Sequence, residues 1–167
     1  IGAIQLVSSL APALEDDINS VIKKIYVGQN GLLSSYKPMR SETNVEVYAR
    51  RLPNSISRFL ECTVFAKKFS GFGTIIVLGD IPLRIFGNQI VLVHTPHLCI
   101  PNLQLFKEGN YKALISSLLF KFNKKYVNLF IVQTHEMQER LSLKYSIDKA
   151  KIRIIPQPVP SWLLGRK

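Results

Sequence analysis

Three short polar segments carry residue types able to do chemistry: Gly79-Asp80, His94-Thr95-Pro96-His97 and Thr134-His135-Glu136. All three histidines of the chain fall in the last two. Imidazole titrates near neutrality, so His94 or His97 can serve as a general acid or base. With Thr95 they can also donate hydrogen bonds to a sugar or a phosphate. Asp80 can accept a proton or bind an acceptor hydroxyl. Thr134 can cap a helix whose positive end favours Glu136, and that same end can face the anionic group of a ligand. Each segment also has a plainer use: a polar turn directed by Pro96, a local backbone bond from Asp80, a simple helix cap at Thr134. His-x-x-His supplies only two ligands, and no nearby cysteine or carboxylate completes a zinc set, so no metal is expected.

The elements that would position these segments follow from hydrophobic period. Thr74–Leu78, Gln89–Val93 and Leu129–Val132 are short continuous apolar runs, as in strands buried on both faces of a parallel sheet. Val21–Val27, Asn44–Ala49 and Ile152–Ile155 read as further strands, with a loop over Gly28–Pro38. Ser55–Phe69 reads as a helix with Ile56, Phe59, Leu60, Val64, Phe65 and Ala66 on one face, capped by Asn54 or Ser55. Tyr111–Tyr126 is a second, with Leu114, Ile115, Leu118, Leu119 and Phe122 on one side, and Glu136–Tyr145 a third. Ile4, Leu6, Val7, Leu10 and Leu14 fit one more helical face.

Strand alternating with helix predicts an α/β fold, a Rossmann-like parallel sheet with helices on both faces. Ligands of such sheets bind beyond the carboxyl ends of the strands. Gly79-Asp80, His94–His97, Thr134–Glu136 and Pro156-Gln157-Pro158 all follow strands in this reading.

Composition sets the outer bounds. The 167 residues suit one domain, and a 47% hydrophobic content suffices for a core. A formal net charge of +11 predicts an anionic partner: a membrane surface, a phosphorylated substrate or nucleic acid. Lys112, Lys121, Lys124 and Lys125 beside the apolar side of Tyr111–Tyr126 resemble an interfacial helix, and equally fit a helix that covers a sheet and solvates its lysines. Arg50-Arg51 and Lys67-Lys68 add to the charge. Cys62 and Cys99 have no redox or metal spacing and read as buried thiols. No apolar run reaches the roughly 20 residues of a membrane span, and Ile1–Leu14 lacks the basic leader of a signal peptide. Gly71-Phe72-Gly73 lacks the third glycine of a dinucleotide fingerprint and precedes a strand. No phosphate-binding G-x-x-x-x-G-K-[ST] and no G-x-S-x-G elbow occurs, so hydride transfer and serine hydrolysis have little support.

The segments TIIVLGDIPLR, QIVLVHTPHL and LFIVQTHEMQERLSLKYSIDKAKIRIIPQPVP resemble the N-terminal domain of family 4 (group 1) glycosyltransferases. The likeness covers roughly residues 74–160, with IGAIQLVSSLAPAL a looser match to the helix after the first strand. It implies a GT-B fold, with two Rossmann-like domains and an active site in the cleft between them. The N-terminal domain binds the acceptor; the C-terminal domain binds the nucleotide sugar and carries a spaced glutamate pair that this chain lacks. Carried over, Gly2 would lie in a glycine loop near the donor phosphates. His94 or His97 would contact the donor sugar, and Asp80 with Thr134, His135 and Glu136 would line the acceptor cleft. Residues 1–158 would form the acceptor-side domain without its first strand, and 159–167 would begin a linker to an absent C-terminal domain, making the chain a fragment.

The resulting expectation is the acceptor-binding half of a glycosyltransferase. It would pass a hexose from a nucleotide-sugar donor to a lipid-linked or saccharide hydroxyl, with retention implied by the family and no cofactor. The place would be the cytoplasm, with peripheral contact at the inner membrane face. The rival expectation is a non-catalytic basic α/β module for nucleic acid or for a separate catalytic subunit. The basic residues are dispersed and no RNA-binding signature occurs, which weighs against nucleic acid.

Overall fold

The computed structural model describes residues 24–29, 37–38, 41, 43–48, 54–71 and 73–156. They fall into two compact units, Ile1–Asn54 with Gln157–Lys167, and Ser55–Pro156. Gly2, the N-terminal helical segment, and Gln157 and Pro158 lie outside the described residues.

In the first unit, β1 (Lys24–Gly28) and β2 (Asn44–Tyr48) pair in parallel, with Lys24 opposite Asn44 and Gly28 opposite Tyr48. Lys24 Nζ reaches Glu46 Oε2 at 2.6 Å, a diagonal pair on one face of the ribbon.

The second unit is an α/β layer. After α1 (Asn54–Cys62), the strands β3 (Ile75–Val77), β4 (Gln89–Val93), β5 (Leu129–Val132) and β6 (Ile152–Ile154) form a four-stranded, all-parallel sheet in sequential order. Helices α2 (Asn102–Lys107), α3 (Tyr111–Asn123) and α4 (His135–Tyr145) lie in the crossovers. This is the Rossmann-like arrangement that the alternating apolar runs require, since parallel neighbours need long crossovers. One row of the sheet, Val77-Val91-Phe130-Ile152, shares a buried cluster with Leu119 and Phe120 of α3, Leu141 and Tyr145 of α4, and Cys62 of α1. The Phe120 ring stands 4.5 Å from Tyr145 and 5.4 Å from Phe130, centroid to centroid.

Two helical faces differ from the hydrophobic pattern. In α3, Leu119 and Phe120 are buried, whereas Ile115, Leu118 and Phe122 are exposed, Phe122 at 69%. Polar partners fix this rotation. Ser117 Oγ meets Tyr145 Oη at 2.8 Å and donates to Asn102 Oδ1 at 2.7 Å, and Asn123 Nδ2 donates to the carbonyls of Cys62 and Pro82. Turning the apolar side inward would expose two buried residues and strand those partners. The expected helix Ser55–Phe69 stops at Cys62 and resumes as a 3-10 turn over Phe65–Phe69. Thr63 Oγ1 donates back to the Phe59 carbonyl at 2.7 Å where the helix ends. Cys62 and Ala66 are buried there, and Ile56, Phe59, Val64 and Phe65 are exposed.

Gln89 anchors the start of β4 from a fully buried position. Its Oε1 accepts from Leu83 N at 2.7 Å, and its Nε2 donates to the carbonyls of Leu83 and Tyr126. One amide thereby joins the β3–β4 loop to the exit of α3.

Candidate functional site

The site assembles where β3 and β4 end. Asp80 follows β3 in the left-handed region, φ 62°, which aspartate tolerates better than most residues. That turn aims its carboxylate at the next strand's end. Oδ1 accepts from His94 N at 2.8 Å and Thr95 N at 3.0 Å, and Oδ2 accepts from Thr95 Oγ1 at 2.6 Å. His94 Nδ1 lies 3.1 Å from Oδ1 and makes no well-directed hydrogen bond, so the contact is one of charge. Three hydrogen-bond donors from His94 and Thr95 thus converge on one carboxylate, with the imidazole beside it.

The charges respond accordingly. Burial pushes the Asp80 carboxyl up, but the donors from His94 and Thr95 outweigh it and hold the group below the usual carboxylate range. The Asp80 carboxylate beside the imidazole raises His94, against the lowering effect of burial. With Nδ1 turned to Asp80, Nε2 is the ring's remaining titrating atom.

Behind the turn, Arg58 Nη2 donates to the Gly79 carbonyl at 2.7 Å. A Cβ at Gly79 would stand 1.9 Å from that nitrogen, so only glycine allows the approach.

His97 sits in a 3-10 turn over Pro96–Cys99 that Pro96 opens. Lys144 of α4 clamps this turn, its Nζ donating to the carbonyls of Leu98 at 3.0 Å and Ile100 at 2.5 Å. Burial pulls the Lys144 ammonium down to about 8.

A cleft of about 260 Å³ opens here, and Asp80, Thr95 and His97 line it together with Asn110, Lys112 and Ser116. Asn110 caps α3, accepting from Ala113 N at 3.2 Å, and so brings Lys112 and Ser116 to the cleft on the first turns of that helix. No motif in the sequence marks Asn110 or Ser116, and Lys112 stands there only among the lysines of the Tyr111–Tyr126 helix. The nearest signal is Gly109-Asn110 just before a helical pattern.

The expected site residues therefore divide. Asp80, Thr95 and His97 line the cleft, and His94 stands behind them against Asp80 without lining it. Thr134, His135 and Glu136 begin α4 and are exposed, and none lines the cleft. Thr134 Oγ1 accepts from Met137 N at 3.2 Å, and Glu136 pairs with Arg140 at 2.6 Å. Cys62 and Cys99 are buried and form no disulfide. Among the described residues, no group of three or more His, Cys, Asp or Glu could hold a metal ion, and no helix is long and apolar enough to cross a membrane. No protein-family profile, curated protein or solved structure matches the chain.

Proposed function

We propose that this chain is the acceptor-side half of a glycosyltransferase that passes a hexose from a nucleotide sugar to a hydroxyl of a saccharide or lipid-linked acceptor. The observation that carries the reading is the Asp80–His94–Thr95 cluster at the carboxyl ends of two parallel strands, beside an open cleft. The sequence likeness to family 4 glycosyltransferases over residues 74–160 supports it.

The roles follow from the donors and acceptors. Asp80 accepts three hydrogen bonds from His94 and Thr95 and acts through His94, holding the imidazole by charge and favouring its charged form. His94 takes up or returns a proton, or donates a hydrogen bond to a sugar hydroxyl, through Nε2. His97, Lys112 and Ser116 face the cleft, where a cation and the first turn of α3 suit an acceptor bearing phosphate. The donor nucleotide belongs to a second domain. The excess of basic residues suits peripheral contact with the anionic inner face of a membrane.

The test is transfer from a panel of nucleotide hexoses to saccharide and lipid-phosphate acceptors, using the longest product of the gene. His94→Ala lowers kcat by about 10²-fold or more. Asp80→Asn lowers it less and shifts the pH profile, because the imidazole remains. Full activity in His94→Ala would remove the observation on which the reading stands.

A further inference from the structure

The outer side of α2 and α3 carries apolar residues that no other described residue buries. Tyr111, Ile115, Leu118 and Phe122 recur at helical spacing along one face of α3, and all are exposed. Leu103 and Phe106 stand on α2, exposed at 67% and 59%. The Phe106 and Tyr111 rings meet edge to face, 6.3 Å between centroids and 85° between planes, so the two helices present one continuous patch. At the far end of α3, Phe86 is 89% exposed and packs edge-on against Tyr126.

The rim of this patch is cationic. Residues 102–126 contain five lysines and a single acid, Glu108. Lys107, Lys112, Lys121 and Lys125 are exposed, whereas Lys124 is tied to the Tyr145 carbonyl. Helical spacing puts Lys112 and Lys121 on opposite flanks of the apolar stripe. Glu108 accepts from Gln104 Nε2 at 2.8 Å.

We propose that the α2–α3 hairpin is a seat for an anionic lipid bilayer. An apolar stripe between lysine flanks is what a helix needs to lie in the membrane interface. The rings enter the acyl boundary, and the lysine stems run along them to bring the ammonium groups to lipid phosphates. The like-charged rim disfavours a second copy of the chain on the same face, since two rims would meet. An apolar centre also distinguishes the patch from the continuous basic stripe that nucleic acid selects. Tyr111 and Lys112 are neighbours on the first turn of α3, the one in the stripe and the other at the cleft. A lipid-linked acceptor held in the bilayer would thus present its head group beside Asp80, Thr95 and His97. The seat rests on the peripheral-membrane part of the proposed function and is independent of its transfer chemistry.

The test is flotation of the whole chain with phosphatidylcholine vesicles, with and without phosphatidylglycerol. The wild-type chain binds the anionic vesicles at least ~10-fold more tightly than the neutral ones. Phe106→Ser/Phe122→Ser and Lys121→Glu/Lys125→Glu each weaken binding by ~10-fold or more, with melting curves that show a folded chain. The control Lys151→Glu/Arg153→Glu, which changes net charge equally away from the patch, weakens it less than ~3-fold. Equal binding to neutral vesicles, no binding at all, or wild-type binding by Phe106→Ser/Phe122→Ser would overturn the seat. So would a wild-type dimer in sedimentation that this variant dissociates while vesicle binding persists. None of these results bears on sugar transfer, which the saccharide acceptors of the transfer assay report without vesicles.

Discussion

Asp80 Oδ1 grips His94 twice, at 2.8 Å through the backbone nitrogen and at 3.1 Å through imidazole Nδ1. The side chains are largely shielded, 16% and 28% exposed, so the charge pair contributes to stability as well as to the site. His94 is raised above 6.5, so its share is fully present below that pH and is lost as pH rises through the folded value. Asp80 is held below 3.8, so its share is present above that pH and is lost as pH falls through the folded value. Replacing the imidazole by His94→Asn therefore costs about 1 kcal/mol between those limits. Urea denaturation across the pH range should show the difference shrinking on either side; a flat difference would remove the charge pair from the account.

Gln89→Leu keeps the volume of a buried side chain but leaves Leu83 N, Leu83 O and Tyr126 O without their partner. The expected cost is about 3 kcal/mol, read as a fall in the urea midpoint at constant slope. A loss under about 1 kcal/mol would mean that water or a local shift satisfies those groups.

Lys144→Met releases the carbonyls of Leu98 and Ile100 and frees the turn that carries His97. It costs about 1–2 kcal/mol at neutral pH and speeds amide exchange over residues 97–100. Because the folded ammonium titrates at about 8 rather than 10.5, the unfolded chain binds more protons between those values and wild-type stability rises with pH there. The penalty of Lys144→Met grows over the same interval. A penalty that falls instead would contradict the buried position of the ammonium.

Gly79→Ala places a methyl where the Arg58 guanidinium now sits. The guanidinium is the flexible end of its side chain and swings away, so the fold survives at a cost of about 1 kcal/mol. In an Arg58→Ala background the same substitution costs close to nothing. Additive costs in the double variant would show that Gly79 matters for its own backbone rather than for Arg58.

The parallel sheet was legible because its strands are short β-branched runs, and β4 and β5 begin and end where the pattern places them. Thr134 was legible as a cap for the same local reason. The rotation of α3 was not. Its apolar pattern names one face, and the choice of the other depends on Ser117 and Asn123 finding Tyr145, Asn102, Cys62 and Pro82 across the fold. Helix α2 has six residues and follows Pro101, too short to show a period. The grouping of Asp80, His94, Thr95 and His97 followed from the strand-end rule. The addition of Asn110 and Ser116 required the path of α3 back to the strand ends, and so did the placing of Lys112 in the cleft, a tertiary fact with no sequence period.

The proposed function puts the acceptor on this chain and the nucleotide sugar on a second domain. Calorimetric titration with nucleotide hexoses tests it most directly, on this chain and on the longest product of its gene. The account predicts heat of binding and turnover for the longer protein and none for this chain alone. Tight binding by this chain alone would put the donor site in the wrong place, and no binding by either would contradict the glycosyltransferase reading itself.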